Sequence, residues 1–221
     1  MSRTQKELKA LRQQQREEAA ARLRARDRRN LYIIGGILGT VAVAIVIVAL
    51  ALNHAAQVAT QNRLPFQVVT EAVGREIPDE GPATHVDPST TPTYKFYPPT
   101  SGPHYSVAGS APAPWKTIDT LVEGQFVHNL EHGGIAILYN CPGGTDCTTL
   151  KNQLSDYINK LAPLEPTYGE VKIVMTPYSR GMEKKVALVA WHYVDFLDGY
   201  DPNEITRFYE SHVDKGPENI A

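Results

Sequence analysis

The chain has 221 residues, 42% of them hydrophobic, and its formal net charge is only −2 at pH 7. This small figure combines two opposed parts: residues 1–30 carry ten basic and four acidic side chains, net +6, and the remainder carries twelve basic and twenty acidic, net −8. Acidic residues interrupt the basic ones, and neither a P-loop nor a G-x-G-x-x-G motif occurs. The composition and motifs therefore favour neither nucleic-acid nor nucleotide binding.

An uncharged apolar run of 22 residues covers positions 31–52. A helix that crosses a hydrocarbon core needs about 20 such residues, so the run predicts a transmembrane helix. Only Arg63 is basic in the 20 residues that follow it, and the positive-inside rule then places the N-terminus in the cytoplasm. We expect a single-pass protein of the cell membrane, with a helical basic cytoplasmic tail over 1–30 and a stalk over 53–64.

A cleaved signal peptide is the alternative to an anchor. Its apolar region spans roughly 7–15 residues behind a short basic leader. Here the leader has 30 residues and the run is longer. An uncleaved anchor is therefore favoured, and residues 65–221 are predicted to form one extracytoplasmic domain.

The first part of that domain, residues 77–115, is dense in Pro, Gly, Thr and Ser. Proline fixes φ and removes a hydrogen-bond donor, so helix and central strand are disfavoured. Aromatic residues within the segment can pack onto a core. The pattern predicts an ordered extended loop.

Regular elements are predicted after this loop. Hydrophobic patterning indicates strands over 125–129 and 135–139, joined by Gly133 and Gly134. An amphipathic helix is predicted over 146–161, followed by strands over 171–175 and 186–194. Asp201 and Pro202 then open a final helix. The order predicts an α+β domain with a mixed or antiparallel sheet and two main helices.

Cys141 and Cys147 are the two cysteines of the chain, and they bracket a turn-forming Pro-Gly-Gly-Thr-Asp sequence. An oxidising compartment favours a disulfide between them. The loop is short, so its entropic stabilisation is about 2–3 kcal/mol at most. Free thiols and a two-thiolate metal site are the alternatives.

Two unusual strings carry three of the seven histidines. His104 follows a Pro-rich turn, whereas His128 and His132 lie four residues apart with Glu131 between them. Imidazole is the commonest protein metal ligand, and three ligands with an open position are typical of catalytic zinc. We predict one copper or zinc ion held by His104, His128 and His132, with Glu131 as fourth ligand or orienting group. A contribution from Met175 or Met182 would favour copper.

Residues 128–132 also match H-x-x-E-H, a zinc-hydrolase motif with glutamate as general base. Glu204 or Glu210 could supply its third ligand. The motif needs a helix, and Gly124 with Gly133-Gly134 leaves room for only about two turns. The hydrolase is the less favoured hypothesis.

In the other alternative, the histidines are structural and the domain binds an envelope protein partner without catalysis. Buried polar groups need hydrogen-bond partners, which such histidines would find in the loop backbone. Of the remaining histidines, His54 and His85 are expected to be exposed, His192 to lie on a buried strand, and His212 to be at or near the surface.

The same strings resemble the domain-of-unknown-function family 3105 (DUF3105), over most of residues 70–218. The resemblance rests on 97–105, 127–134, 139–141, 190–191 and 216–218. It implies one anchor and one exported domain. It supplies no catalytic residues, so the metal hypothesis depends on the residues alone.

Overall fold

The computed structural model describes residues 3–142, 147–218 and 220, and the chain divides into two structural units after Val58. Helix α1, Arg3–Gln61, makes up most of the first unit. Within it, Ile34–His54 is long and apolar enough to cross a membrane, and none of this stretch is buried. A signal sequence near the N-terminus passes the same test, so this helix is also compatible with a signal sequence. The boundaries at residues 30, 52 and 64 stay predictions.

The second unit is built on a five-stranded sheet of β1 Arg75–Glu76, β4 Ile135–Tyr139, β5 Ile173–Pro177, β6 Val186–Ala190 and β7 Tyr193–Leu197. The strand order in this sheet is β1-β7-β6-β4-β5. Strands β4 and β5 pair in parallel, whereas the β4–β6, β6–β7 and β1–β7 pairs are antiparallel. The α+β class and the mixed sheet are therefore confirmed.

Both faces of this sheet are covered. Helices α3, Thr148–Asp156, and α4, Pro202–His212, pack on one face with the π-helical turn Tyr157–Leu161. Helix α2, Glu123–Glu131, packs on the other face with part of the Pro-rich segment. Strands that are buried on both faces read as continuous apolar runs, which explains why β4 and β6 are hydrophobic at every position.

The strand prediction over 125–129 is wrong, because these residues belong to helix α2. At its start the Gln125 side chain accepts a hydrogen bond from the Val122 amide, the return half of a capping box. Gly133 and Gly134 do not join two strands; they end the helix. The domain thus has three helices of nine residues or more within the described residues, not two.

The strand prediction over 186–194 is also wrong in extent. A tight turn at Trp191 and His192 divides it into β6 and β7, and His192 adopts a left-handed backbone with φ of 66°. The predicted helix over 146–161 corresponds to α3 and the turn after it, with Asp146 outside the described residues. The Asp201 cap is confirmed, since its carboxylate accepts from the amides of Asn203 and Glu204.

Side-chain hydrogen bonds fix parts of the Pro-rich segment. The Glu80 carboxylate accepts from the amides of Lys95 and Phe96, at 2.8 and 2.7 Å. The Asn129 side chain of α2 makes two hydrogen bonds to the backbone of Ala113, at 2.8 and 2.9 Å. The two hydrogen bonds of Asn129 are buried, and they attach the segment to α2.

Cys141 and Cys147 form a disulfide, which confirms that prediction and excludes the free thiols and the thiolate metal site. Residues 143–146 of the enclosed loop lie outside the described residues.

His212 is buried at the end of α4, where its Nε2–H donates to the Val73 carbonyl at 2.7 Å. Its ring stacks on Tyr193 at 4.3 Å. Burial lowers the pKa of His212, and the positive charge of Lys215 adds to this, while the hydrogen bond to Val73 opposes it. Placing His212 at or near the surface was therefore wrong.

This buried histidine predicts a pH-dependent stability. Below about pH 6.5 the unfolded chain binds a proton at His212 that the folded state does not bind. The free energy of unfolding therefore decreases as the pH is lowered, until the pKa of His212 in the folded state is reached. We expect His212→Gln, which keeps a donor for Val73 and does not titrate, to flatten the decline by at most about 1.4 kcal/mol per pH unit. Urea unfolding at pH 7.5 and 5.5, followed by tryptophan fluorescence, measures the difference. Identical slopes in the two proteins would contradict it.

Candidate metal centre

The C-terminal end of α2 supplies the central part of a histidine–carboxylate cluster. Gly133 adopts φ of 74°, and the amides of Gly133 and Gly134 bond to the carbonyls of Leu130 and Asn129. This is a Schellman motif, the usual left-handed helix end. It fixes His128 and Glu131 in the last turn, with His132 as the capping residue.

A two-stranded parallel sheet supplies the next two histidines. Strand β2, His85–Val86, pairs with β3, His104–Tyr105, in a register that places His85 opposite His104. Strand β3 packs on α2 at Gly124, where a Cβ atom would lie 2.9 Å from the Tyr105 ring. The small sheet and the helix end therefore meet at the cluster.

Four side chains converge there. Potential ligand atoms of His85, His104, His128 and Glu131 all lie within 4.8 Å of one another. Measured from Glu131 Oε2, the Nε2 atoms of His104, His85 and His128 lie at 2.8, 3.5 and 3.8 Å. The side chains of His104 and Glu131 are 0% and 3% exposed, whereas that of His85 is 45% exposed. The cluster is buried, with His85 on its solvent side.

Backbone carbonyls fix the orientation of two of these rings. Nδ1 of His104 lies 2.9 Å from the Gly102 carbonyl, and Nδ1 of His128 lies 2.6 Å from the Tyr105 carbonyl. A carbonyl only accepts, so Nδ1 carries the proton and the Nε2 lone pair is free in a neutral ring. Such outer hydrogen bonds are the usual way in which proteins orient metal-binding histidines.

The contact between His104 and Glu131 is left unexplained by hydrogen bonding. Nε2 of His104 and Oε2 of Glu131 are both buried, and neither has a hydrogen-bond partner among the described residues, although they lie 2.8 Å apart. Two lone-pair atoms at this distance repel each other unless a proton or a cation lies between them. Buried polar atoms without partners are rare and costly.

Burial sets the charge state of the cluster. It lowers the pKa of His104 and of His128, in both cases against the opposing effect of the backbone hydrogen bond. It also raises the pKa of Glu131, as does the nearby charge of Glu218. The imidazoles of His104 and His128 are therefore neutral at pH 7, which is the form that binds metal ions.

His132 lies beside this group, on its other side. Its Nε2 atom is 3.1 Å from Nε2 of His128 and 3.7 Å from Oε2 of Glu218. Burial, then the neighbouring His128, lowers the pKa of His132 to about 4. Ligand atoms of Glu131, His132 and Glu218 form a second group within 4.8 Å of one another.

The geometry does not match the requirements of the hydrolase hypothesis. Residues 128–132 do lie on one helix end, as the motif needs, but Glu131 lies among the potential ligand atoms and not apart from them as a base. Of the proposed third ligands, Glu210 accepts from the Gln67 amide and Glu204 from Arg207.

Met175 and Met182 do not join the cluster. Met175 is fully buried in the core on the α3–α4 face of the sheet, and Met182 packs against the core on the α2 face. The donors at the cluster are therefore nitrogen and oxygen, and the sulfur-based argument for copper has no structural support.

The structure brings together all four residues predicted from the sequence: His104, His128, Glu131 and His132. That they bind a metal stays a prediction. Sequence reasoning missed His85, which it expected to be merely exposed, and Glu218. His54 is exposed on α1, as expected, and His192 lies in the turn after β6. No local motif marks His85, and residues 216–218 contribute only to the family resemblance. Contacts with distant segments place both residues at the cluster.

The fold and the cluster together define an α+β domain with a buried histidine–carboxylate cluster, in a chain with one apolar N-terminal helix. The chain belongs to the family described as "Protein of unknown function (DUF3105)", whose sequence model matches residues 85–221. No curated protein and no solved structure matches the chain.

Proposed function

We propose that this domain binds a transition-metal ion, zinc or copper, through His85, His104, His128 and Glu131. The close approach of His104 Nε2 to Glu131 Oε2 is the observation that carries the proposal. A cation between these two lone-pair atoms replaces their repulsion with two attractive bonds.

A proton on Glu131 is the competing explanation, because burial raises the pKa of this carboxyl group. One proton could join Glu131 to His104 only. It would leave Nε2 of His85 facing the same oxygen at 3.5 Å. A metal ion uses all of these lone pairs at once, so it accounts for more of the geometry.

The donor set narrows the class of ion. Three imidazoles and one carboxylate suit zinc and copper(II), and the absence of sulfur donors disfavours copper(I). The exposed edge of His85 provides an entry path. The other three side chains are almost fully buried, so they would hold the ion in a fixed geometry.

The structural-histidine alternative predicts that both ring nitrogens of each buried histidine have partners. Nε2 of His104 and Nδ1 of His132 have none among the residues described. This observation favours metal binding over a domain that only binds an envelope protein.

We further propose that the apolar part of α1 stays attached as a single membrane anchor, with the basic tail in the cytoplasm and the domain outside. The charge asymmetry across the span supports this orientation, and the disulfide is consistent with an oxidising compartment.

Metal analysis of the intact chain tests the proposed function. The full-length protein would be extracted from membranes in detergent, with an affinity tag free of histidine, and its intact mass would show whether the anchor is retained. We expect close to stoichiometric zinc or copper by plasma mass spectrometry after incubation with each metal. We expect the His104→Ala/His128→Ala variant to bind at least one equivalent less metal than the wild-type protein.

His54→Ala is the matched control, since His54 is an exposed histidine of α1 and should leave the metal content unchanged. Circular dichroism and tryptophan fluorescence would show that each variant is folded. A folded wild-type protein that binds neither zinc nor copper would overturn the proposal.

A further inference from the structure

We propose that the cluster binds two metal ions, with the Glu131 carboxylate as the bridge between them. The first ion is the one described above, and this inference rests on that proposed function. The second ion would be bound by Glu131, His132 and Glu218. Carboxylate-bridged pairs of this kind, about 3.5–4 Å apart, are common in two-metal enzymes.

The second ligand set is independent of the first apart from Glu131. Potential ligand atoms of Glu131, His132 and Glu218 lie within 4.8 Å of one another. The His132 side chain is only 7% exposed, and its Nδ1 atom is buried without a hydrogen-bond partner in the described part of the chain. The other nitrogen of the same ring, Nε2, lies 3.7 Å from Oε2 of Glu218, so the imidazole adjoins the carboxylate with which it would share the ion.

The contact between His128 and His132 links the two sites. Nδ1 of His128 donates to the Tyr105 carbonyl, so its Nε2 accepts, and His132 Nε2 must donate across the 3.1 Å contact. When the first ion takes the lone pair of His128 Nε2, His132 loses its acceptor. The freed imidazole can then bind a second ion.

Charge orders the two binding steps. Two carboxylates, Glu131 and Glu218, offset only part of the charge of two divalent ions, so the second ion should bind more weakly than the first. Glu218 adds a second carboxylate whose side chain is 50% exposed, so its desolvation cost is modest. The Lys172 ammonium group lies 3.4 Å from the His132 carbonyl oxygen and pairs with Asp214 at 2.8 Å.

The backbone holds Glu218 in place. The Glu218 amide donates to the Glu131 carbonyl at 3.0 Å. Gly216 lies so close to the end of α2 that a Cβ atom would clash with the backbone of Leu130, Glu131 and Gly133. The C-terminal segment is therefore fitted against the helix end, and Glu218 faces His132 because of that fit.

The two ions would differ in accessibility. The first has four protein ligands, three of them buried, whereas the second has three ligands, one of them half exposed. Three ligands and an open position are typical of a zinc ion that binds water or substrate. We infer a resident first ion and a more exchangeable second ion with an open coordination position.

Stoichiometry measurements on the full-length protein in detergent test this inference, with Zn²⁺ as the probe. Wild-type protein, first freed of metal with a chelator, should bind two equivalents of zinc by titration calorimetry and native mass spectrometry. In Glu218→Gln and in His132→Ala, the second step should weaken by at least about tenfold or disappear, while the first step persists. Glu183→Gln, an exposed carboxylate that pairs with Arg75, is the control and should keep both steps.

Each outcome separates the two proposals. No zinc in folded wild-type protein would refute the metal site itself. One equivalent in wild type, Glu218→Gln and His132→Ala alike would overturn only the second ion. If the wild-type protein binds two equivalents of zinc and the second binding step is unchanged in both variants, the second ion binds elsewhere. That result would also overturn the proposed second site.

Electron paramagnetic resonance with Cu²⁺ tests the bridge. Two equivalents of copper should give a spectrum broadened by spin–spin coupling in wild type and an unbroadened one in Glu218→Gln. Two unbroadened signals in copper-loaded wild type would contradict a shared carboxylate.

Discussion

Replacing His85 by alanine is expected to weaken metal binding by at least about 100-fold. Loss of a residue that only orients a metal ligand costs about 10–100-fold in affinity, so loss of a ligand should reach or exceed the upper end. Because His85 is 45% exposed and lies on a two-residue strand, its removal should hardly change stability. Affinity would be measured by competition with a chromophoric chelator.

The His85→Ala substitution distinguishes between two possible ligand sets for the first ion. The sequence alone predicts His104, His128 and His132 with Glu131, whereas the structure places His85 with the first two and puts His132 in a second group. If His85 is a ligand, His85→Ala weakens the first binding step, and His132→Ala acts mainly on the second. His54→Ala is the control. An unchanged first step in His85→Ala would favour the sequence-derived set.

The difference between the two sets shows what local sequence can and cannot reveal about this site. His128, Glu131 and His132 lie within five residues, so their proximity follows from any helical turn. His85 comes close only because β2 and β3 pair, and each strand has two residues. Strands this short have no hydrophobic period, so no pattern predicts their register.

The errors in the fold have similar causes. Residues 125–129 mix aromatic, β-branched and polar types, which also fit a strand, and the helix is determined by its caps and by packing of Phe126 and Leu130 on the sheet. The turn between β6 and β7 contains neither Gly nor Pro, and His192 supplies the positive φ instead. Where the local signals were strong, as at Asp201 and in β4, the predictions were right.

The second large effect is expected from Phe126→Ala, which should destabilise the domain by about 3–5 kcal/mol. Phe126 is fully buried between α2 and the sheet, together with Leu130 one turn later. In a helix, Phe126 and Leu130 share the core face while His128 and Glu131 face β2 and β3. In a strand, Phe126 and His128 would share one face. The loss of stability in Phe126→Ala therefore tests the helical geometry on which the proposed metal site depends.

Urea unfolding of the metal-free, full-length protein measures this cost. Both tryptophans of the chain, Trp115 and Trp191, lie in the second unit, so their fluorescence reports on that unit. The control is Val122→Ala at the start of α2, where a side chain of a residue that is 52% exposed should cost little. A decrease in midpoint with an unchanged dependence on urea would show that stability alone has changed. A loss below about 1 kcal/mol, similar to that of Val122→Ala, would mean that Phe126 is not enclosed and that α2 does not pack on the sheet through this face.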